Sequence, residues 1–294
     1  MPATKYVVTG ATGQLGRLAV EALLARGVAP SQITATGRDT ARLAGLATRG
    51  VLVKKADFDD AASLDAVFAG ADRLLLVSTN EIGKRATQHR SAIDAAKRAG
   101  VGLVAYTSIA NVDHTQVIFG PEHRDTEQYL KASGLPYVLL RNSWYFENYT
   151  SQIAGAVAHG VVLGAAGEGR VSAATRADYA AAAAAVLTTE GHAGRTYELG
   201  GDTAITLAEY VDEVARQSGK AVVYRNLSEA EYTQALVGFG VPEGYAAIYA
   251  ACDAAVARGE LKVEGGALAT LIGRPSSTLA DAVSAALATV PAAS

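Results

Sequence analysis

Three glycines, Gly10, Gly13 and Gly16, follow the short apolar run Tyr6-Val7-Val8 and lead without a gap into the amphipathic stretch Leu18 to Ala25. A strand, a glycine turn and a helix start, in that order, make an anion site. The first turn of a helix presents unpaired backbone N–H groups and the positive end of its dipole. Glycines permit the tight turn, let backbone approach a pyrophosphate and let the helix lie close on the strand. The spacing is Gly-x-x-Gly-x-x-Gly rather than the usual Gly-x-Gly-x-x-Gly of dinucleotide folds. Gly10, Ala11, Thr12, Gly13, Gln14, Leu15 and Gly16 are therefore the expected pyrophosphate cradle, and a tight turn that binds nothing is the alternative.

Further polar residues fall where the next apolar runs end. Arg38 lies just past Ile33-Thr34-Ala35-Thr36, where an acidic residue would hold the ribose hydroxyls of NAD. A guanidinium there can pair with a ribose 2′-phosphate, which points to NADPH; a solvated turn residue is the other reading. Asp39 can cap a helix starting at Thr40. Asp57 and Phe58 follow the run Gly50 to Lys55 and can bond and cover an adenine, while Asp59 and Asp60 read as helix caps. Ser78 and Thr79 follow Arg73 to Val77, and Thr107 and Ser108 follow Val101 to Tyr106. All four stand beyond strand ends, where ligands gather in open parallel sheets. Leu140 to Tyr149 holds the one tryptophan, Trp144, with Tyr145, Phe146 and Tyr149. Such a cluster can wall a pocket for a flat ligand, or plug the base of a second lobe.

The elements that must position these groups alternate strictly, strand then helix, as far as residue 150. Helices are expected over Ala61 to Phe68, Arg85 to Arg98 and Glu122 to Ser133, before a strand from Tyr137 to Leu140. The pattern predicts an α/β fold: a doubly wound parallel-sheet Rossmann domain over 1–150, binding NADPH. Residues 151–294 then form a smaller, partly interleaved C-terminal α/β lobe for the substrate, with segments returning to the Rossmann sheet. Short strands are expected there at Val161 to Leu163, Gly169 to Ala174, Arg195 to Leu199 and Val222 to Asn226. An alanine-rich helix opens at Arg176, a capping box stands at Ser228 to Glu231, and Pro242-Glu243-Gly244 reads as a turn. A last helix runs to about Thr289.

Composition excludes several classes. A net charge of −3 over 294 residues offers no basic face for nucleic acid. One cysteine, Cys252, excludes a disulfide framework, and five scattered histidines without an H-E-x-x-H pattern make a metal site unexpected. The alanine run Ala180 to Leu187 is too short for a bilayer about 30 Å thick, so no membrane insertion is expected. Met1 to Lys5 leads directly into the first strand, without a signal-peptide pattern. The expectation is a cytoplasmic protein acting on a small aromatic or quinone molecule, with a homo-oligomer left open.

The architecture resembles the extended and atypical short-chain dehydrogenase/reductases, which usually carry a catalytic Tyr-x-x-x-Lys on the helix after the fifth strand. Matched by Thr126-Glu127, this helix places His123 where the lysine would be and Phe119 where the tyrosine would be. The glycine turn, Gln88-His89-Arg90, Ala105-Tyr106-Thr107-Ser108, Glu122-His123-Arg124 and Leu140-Arg141-Asn142-Ser143-Trp144-Tyr145 are similar to the NmrA-like branch. Within it they are most similar to NADPH-dependent quinone oxidoreductases of type 2 and triphenylmethane reductases. The resemblance continues through Ala174 to Ala180, Asn226 to Ala230 and Ile272 to Pro275, and weakens over Cys252 to Ala267. It implies NADPH held by the glycine turn, Arg38, Ser78, Thr79 and the Asn142 to Tyr145 loop, with Arg176 nearby. It also implies a quinone or similar conjugated acceptor, reduced by two-electron hydride transfer.

The missing Tyr/Lys pair agrees with that chemistry. Reducing a simple ketone leaves an alkoxide, whose parent hydroxyl is about as weak an acid as water, near 15.7, and needs a positioned acid. Hydride addition to a quinone leaves an anion comparable to tyrosinate, of pKa about 10. Solvent or one hydrogen-bond donor can stabilise that charge, so placement of the reactants is the main requirement. Asn142 and Tyr145 are expected to place the nicotinamide and donate to an acceptor carbonyl, with Trp144 shaping the wall. His123 is the candidate proton donor, and a structural helix-face histidine is its other reading. Tyr106 and Tyr129 are expected to be core aromatics. The competing functions are an NADP(H)-binding redox sensor without turnover and a triarylmethane dye reductase.

Overall fold

The computed structural model describes residues 3–290. Strands run Tyr6–Val8 (β1), Ile33–Gly37 (β2), Leu52–Lys55 (β3), Arg73–Leu76 (β4), Leu103–Ile109 (β5) and Tyr137–Asn142 (β6). They continue as Trp144–Tyr145 (β7), Val161–Gly164 (β8), Ala173–Ala174 (β9), Thr196–Leu199 (β10) and Val223–Asn226 (β11). Seven of them form one sheet in the order β10-β6-β5-β4-β1-β2-β3, every neighbouring pair parallel. This is the doubly wound order with one extra edge strand. The chain reverses direction across the sheet between β1 and β4, where a crevice opens beyond the strand ends. β4 and β5 are buried on both faces, so Leu74 to Leu76 and Leu103 to Tyr106 read as apolar runs.

The helices are Gln14–Ala25 (α1), Ala44–Ala47 (α2), Ala61–Phe68 (α3), Arg85–Ala99 (α4), Gly120–Ala132 (α5), Glu147–Thr150 (α6) and Ile153–His159 (α7). Beyond them lie Arg176–Thr188 (α8), Leu207–Ser218 (α9), Glu229–Gly238 (α10), Glu243–Ala257 (α11), Ala267–Ile272 (α12) and Leu279–Leu287 (α13). One face of the sheet buries Leu15, Val20 and Leu23 of α1 with Tyr179, Val186 and Leu187 of α8. The other buries Leu64 and Phe68 of α3, Ile93 of α4 and Leu130 of α5. A third core lies under the C-terminal segments, where Phe146, Ile153, Tyr210, Val214, Val256 and Val283 meet.

Residues beyond 150 are thus woven into the first layers. β10 extends the sheet from β6, with Tyr197 opposite Leu140, and α8 packs along α1. The alanines of α8 make that close approach possible, because Ala182 to Ala185 are buried without bulk. Two local readings differ from the sequence expectation. The strand expected over Gly169 to Ala174 shrinks to β9 and a single bridge between Val171 and Ile205. Pro242-Glu243-Gly244 is the start of α11 rather than a turn, since a proline at a helix start gives up no hydrogen bond.

Candidate functional site

A cleft of about 570 Å³ lies beyond the carboxyl ends of β1 to β6. Its floor is the glycine turn. Gly10 adopts a φ of +61°, a conformation that disfavours any side chain, and its carbonyl accepts from the Gly13 N–H at 2.9 Å. A Cβ on Gly16 would lie 2.7 Å from the Gly10 carbonyl carbon and 2.9 Å from the Ala11 Cα. Helix and turn touch there, backbone to backbone. The N-cap of α1 is Gly13, with no side-chain cap bond and no acidic residue in the first turn. By contrast α8, α9, α10 and α13 are each capped by a Thr or Ser side chain. The first N–H groups of α1 are left for an anion.

At one end of the cleft stand Gly37, Arg38 and Arg42 with Asp57 and Phe58. Arg38 is largely exposed and pairs with Glu81 at 2.8 Å. Asp39 caps the turn that starts at Thr40 by accepting from the Ala41 N–H, as its place in the sequence suggested. A Cβ on Gly37 would lie 2.5 Å from a methyl of Thr12, which keeps the two turns in contact. Asp57 accepts from the Asp59 N–H, and Asp60 caps α3.

Ser78 and Thr79 line the middle. The Thr9 hydroxyl accepts from the Val77 N–H at 2.9 Å, and the Thr107 hydroxyl accepts from the Ser78 N–H at 2.9 Å. His89 holds the next residue: its Nε2 accepts from the Thr79 N–H at 3.1 Å. Burial brings the His89 imidazole down to about 3, so it stays neutral. Arg85 enters the wall from α4, 5% exposed, donating to the Thr79 carbonyl at 2.8 Å and to Glu122 at 3.0 Å. Its guanidinium also lies 5.5 Å from the centre of the Phe119 ring.

The far end is built by the segment after β6. Asn142, Ser143, Trp144 and Tyr145 all line the cleft, whereas Phe146 turns into the third core and Tyr149 packs against it. The aromatic run is therefore a wall at its start and a plug at its end. Burial raises the Tyr145 phenol above its ordinary value, and the neighbouring Asn142 and Arg176 offset part of that rise. Arg176 lies 4.4 Å over the Tyr145 ring and donates to Asn148 at 2.8 Å. Opposite stand Phe119 and His123 of the α5 start. Burial holds His123 well below the usual histidine range, and its Nδ1 is 2.7 Å from the Tyr106 hydroxyl.

Of the residues expected to bind the cofactor or act on the acceptor, Ala11, Gly16 and Thr107 stand behind the wall of the cleft and the others line it. Arg42, Glu81, Arg85 and Gln88 also line it, and sequence reasoning passed over them as cofactor or substrate contacts. A signal for Arg42 existed: it follows Arg38 by four residues. Several buried polar atoms in the wall have no partner among the described residues: Thr79 Oγ1, Ser108 Oγ, Asn142 Oδ1, Gln88 Oε1 and Trp144 Nε1. Buried polar atoms of this kind need a bonding partner, and a polar ligand with donors and acceptors along its length supplies one. The open helix start, the two arginines and these atoms fit a phosphorylated dinucleotide.

Comparison with known proteins gives four findings. A family model described as NAD(P)H-binding matches residues 10–190. The chain is 47% identical to quinone oxidoreductase 2 of Escherichia coli over 277 residues, which is 94% of this chain and 96% of the relative. The crystal structure of an NADPH-dependent quinone oxidoreductase from E. coli, complexed with NADPH, superposes with a TM-score of 0.93 at 46% identity. It covers 96% of this chain and 99% of that one. The triphenylmethane reductase of Citrobacter, complexed with NADP(H), matches with a TM-score of 0.92 at 35% identity, over 96% of this chain and 100% of that one.

Proposed function

The chain belongs to the NAD(P)H-binding family, in the NmrA-like group with quinone oxidoreductase 2 and triphenylmethane reductase, and from that premise we propose that it is an NADPH-dependent quinone reductase. When bound, NADPH supplies a hydride, and a quinone or similar conjugated acceptor takes it up. One observation carries the reading. A single cleft joins an uncapped helix start, flanked by Arg38 and Arg42, to a wall of hydrogen-bond donors that lacks the Tyr-x-x-x-Lys pair.

In this reading Gly10, Thr12, Gly13, Gln14 and Leu15 hold the pyrophosphate, with Ala11 and Gly16 keeping the helix start against the turn. Arg38 and Arg42 take the 2′-phosphate, and Asp57 and Phe58 the adenine. Ser78, Thr79 and Ser108 bond the ribose and nicotinamide side, with Thr107 holding Ser78 in place. Asn142 and Tyr145 place the nicotinamide and donate to the acceptor carbonyl, Trp144 and Phe119 exclude water, and Arg176 fixes the Tyr145 ring. Residues 1–150 supply the cofactor domain and later segments the acceptor side. Among the described residues no helix is long and apolar enough to cross a membrane, and we place the reaction in the cytoplasm.

The test is direct: mix purified protein with NADPH and a small benzoquinone, then with a cationic triarylmethane dye, and follow cofactor oxidation. Turnover with the quinone is expected. Tight NADPH binding with no turnover of either acceptor sinks the enzyme reading in favour of a sensor.

A further inference from the structure

Tyr106 lies in the middle of β5 with its ring fully buried, as a core aromatic would. Its hydroxyl nevertheless has a specific partner, His123 Nδ1 at 2.7 Å, and the surrounding bonds decide which of the two donates. Neutral His89 accepts from the Thr79 N–H at Nε2, so its proton is on Nδ1 and goes to the Thr126 hydroxyl oxygen at 3.0 Å. Thr126 in turn donates its only proton to the Glu122 carbonyl at 2.8 Å. Thr126 thus has no proton left for Tyr106. A buried phenol O–H must find an acceptor, and His123 Nδ1 is the one hydrogen-bond partner the Tyr106 hydroxyl has among the described residues. A neutral imidazole that accepts at Nδ1 carries its hydrogen on Nε2. His123 lines the cleft, and its Nε2 bonds no described residue and is not among the sealed, partnerless atoms, so it opens to the cavity.

We propose that Tyr106 is a positioning residue that locks His123 in its Nε2–H tautomer, so that a neutral imidazole offers an N–H to the acceptor's carbonyl oxygen. The inference rests on the quinone-reductase reading of the same cleft. A quinone that receives a hydride gains two electrons and one hydrogen and becomes a hydroquinone monoanion. The Nε2–H stabilises that oxygen by a hydrogen bond and keeps its proton, because losing it would leave an imidazolate. The proton that completes the hydroquinone comes from water. Tyr106, though buried behind the wall, thereby fixes which hydrogen-bonding face the site presents.

The experiment is nitrogen NMR of protein labelled with ¹⁵N-histidine, with His123 assigned by its loss in His123→Gln. Wild type is expected to show Nδ1 as the bare, hydrogen-bond-accepting nitrogen and Nε2 as the protonated one. In Tyr106→Phe a mixture of tautomers should appear, with quinone kcat down about tenfold, less than the loss of a whole oxyanion donor, and the Kd for NADPH unchanged. Wild-type His123 protonated on Nδ1, or on both nitrogens, overturns the proposal. So does a Tyr106→Phe protein that keeps both the tautomer and the turnover of wild type. If that variant fails to fold, the wild-type spectrum alone decides. Failure of wild type to reduce any quinone instead removes the functional reading beneath it.

Discussion

In the proposed function the choice of cofactor turns on Arg38, and that residue does not stand free. Its guanidinium is paired with Glu81, so a 2′-phosphate must compete with or share that partner. An exposed ion pair of this kind is worth about 1 kcal/mol or less, whereas a charge-assisted bond to a phosphate is worth about 1.5–3 kcal/mol. Exchange toward the phosphate is favourable. Arg38→Asp should therefore weaken NADPH binding by about tenfold or more while leaving NADH nearly unchanged, as dissociation constants for both cofactors will show. An unchanged preference would remove Arg38 from the phosphate site. The place of Arg38 at the cleft was legible because it follows a strand end, where ligands gather in parallel sheets. Arg85 was not, since an arginine opening a helix usually faces water. What buries it is Glu122, far along the chain, together with the Phe119 ring.

At the scale of elements, the open start of α1 is set against four helices whose Ser or Thr caps are in place. Its closeness to β1 depends on Gly16. Gly16→Ala should push α1 off the turn, lowering stability by about 1–3 kcal/mol and weakening NADPH in parallel. Thermal denaturation and cofactor titration on one sample would test this, and an unchanged Tm with full affinity would refute it. The alternation from β1 to β6 was legible because most of its strands, though not the exposed edge strand β3, are buried on both faces and read as apolar runs. The C-terminal segments lacked such a signal. β7 and β9 are two residues each, too short for a periodicity, and are defined only by pairing with each other. The start of α11 carries Pro242 and Gly244, both turn formers in isolation, and only its packing on the third core makes it a helix.

At the scale of the whole molecule, three carboxyls away from the cleft are buried, and among the described residues Asp253, unlike Glu127 and Asp178, has no cation beside it. Asp253 of α11 is 8% exposed and accepts from the Ala165 N–H at 2.9 Å, with Tyr149, Tyr224, Tyr232 and Cys252 around it. Burial pushes it up to about 6 from an ordinary 3.8. The unfolded chain therefore gives up this proton first. Its contribution to stability is complete below about pH 4 and is lost as pH rises through about 6, by about 3 kcal/mol. Asp253→Asn keeps an acceptor for Ala165 and removes the charge. The variant should gain stability relative to wild type between pH 4 and pH 7, in urea melts taken across that range. A constant difference between the two proteins would show that Asp253 does not titrate there.

The sheet closes late in the chain. β10 covers the outer edge of β6, and α8 covers the face beside α1, yet both are drawn from residues beyond 170. About fifty residues separate the end of β6 from β10, which at a synthesis rate of roughly 5–20 residues per second leaves that edge bare for several seconds. An unpaired parallel strand next to an uncovered apolar face is a template for the wrong partner. The first half of this protein thus emerges from the ribosome as a sheet with an open side. Its yield in a cell depends on how that interval is shielded as much as on the stability of the finished fold.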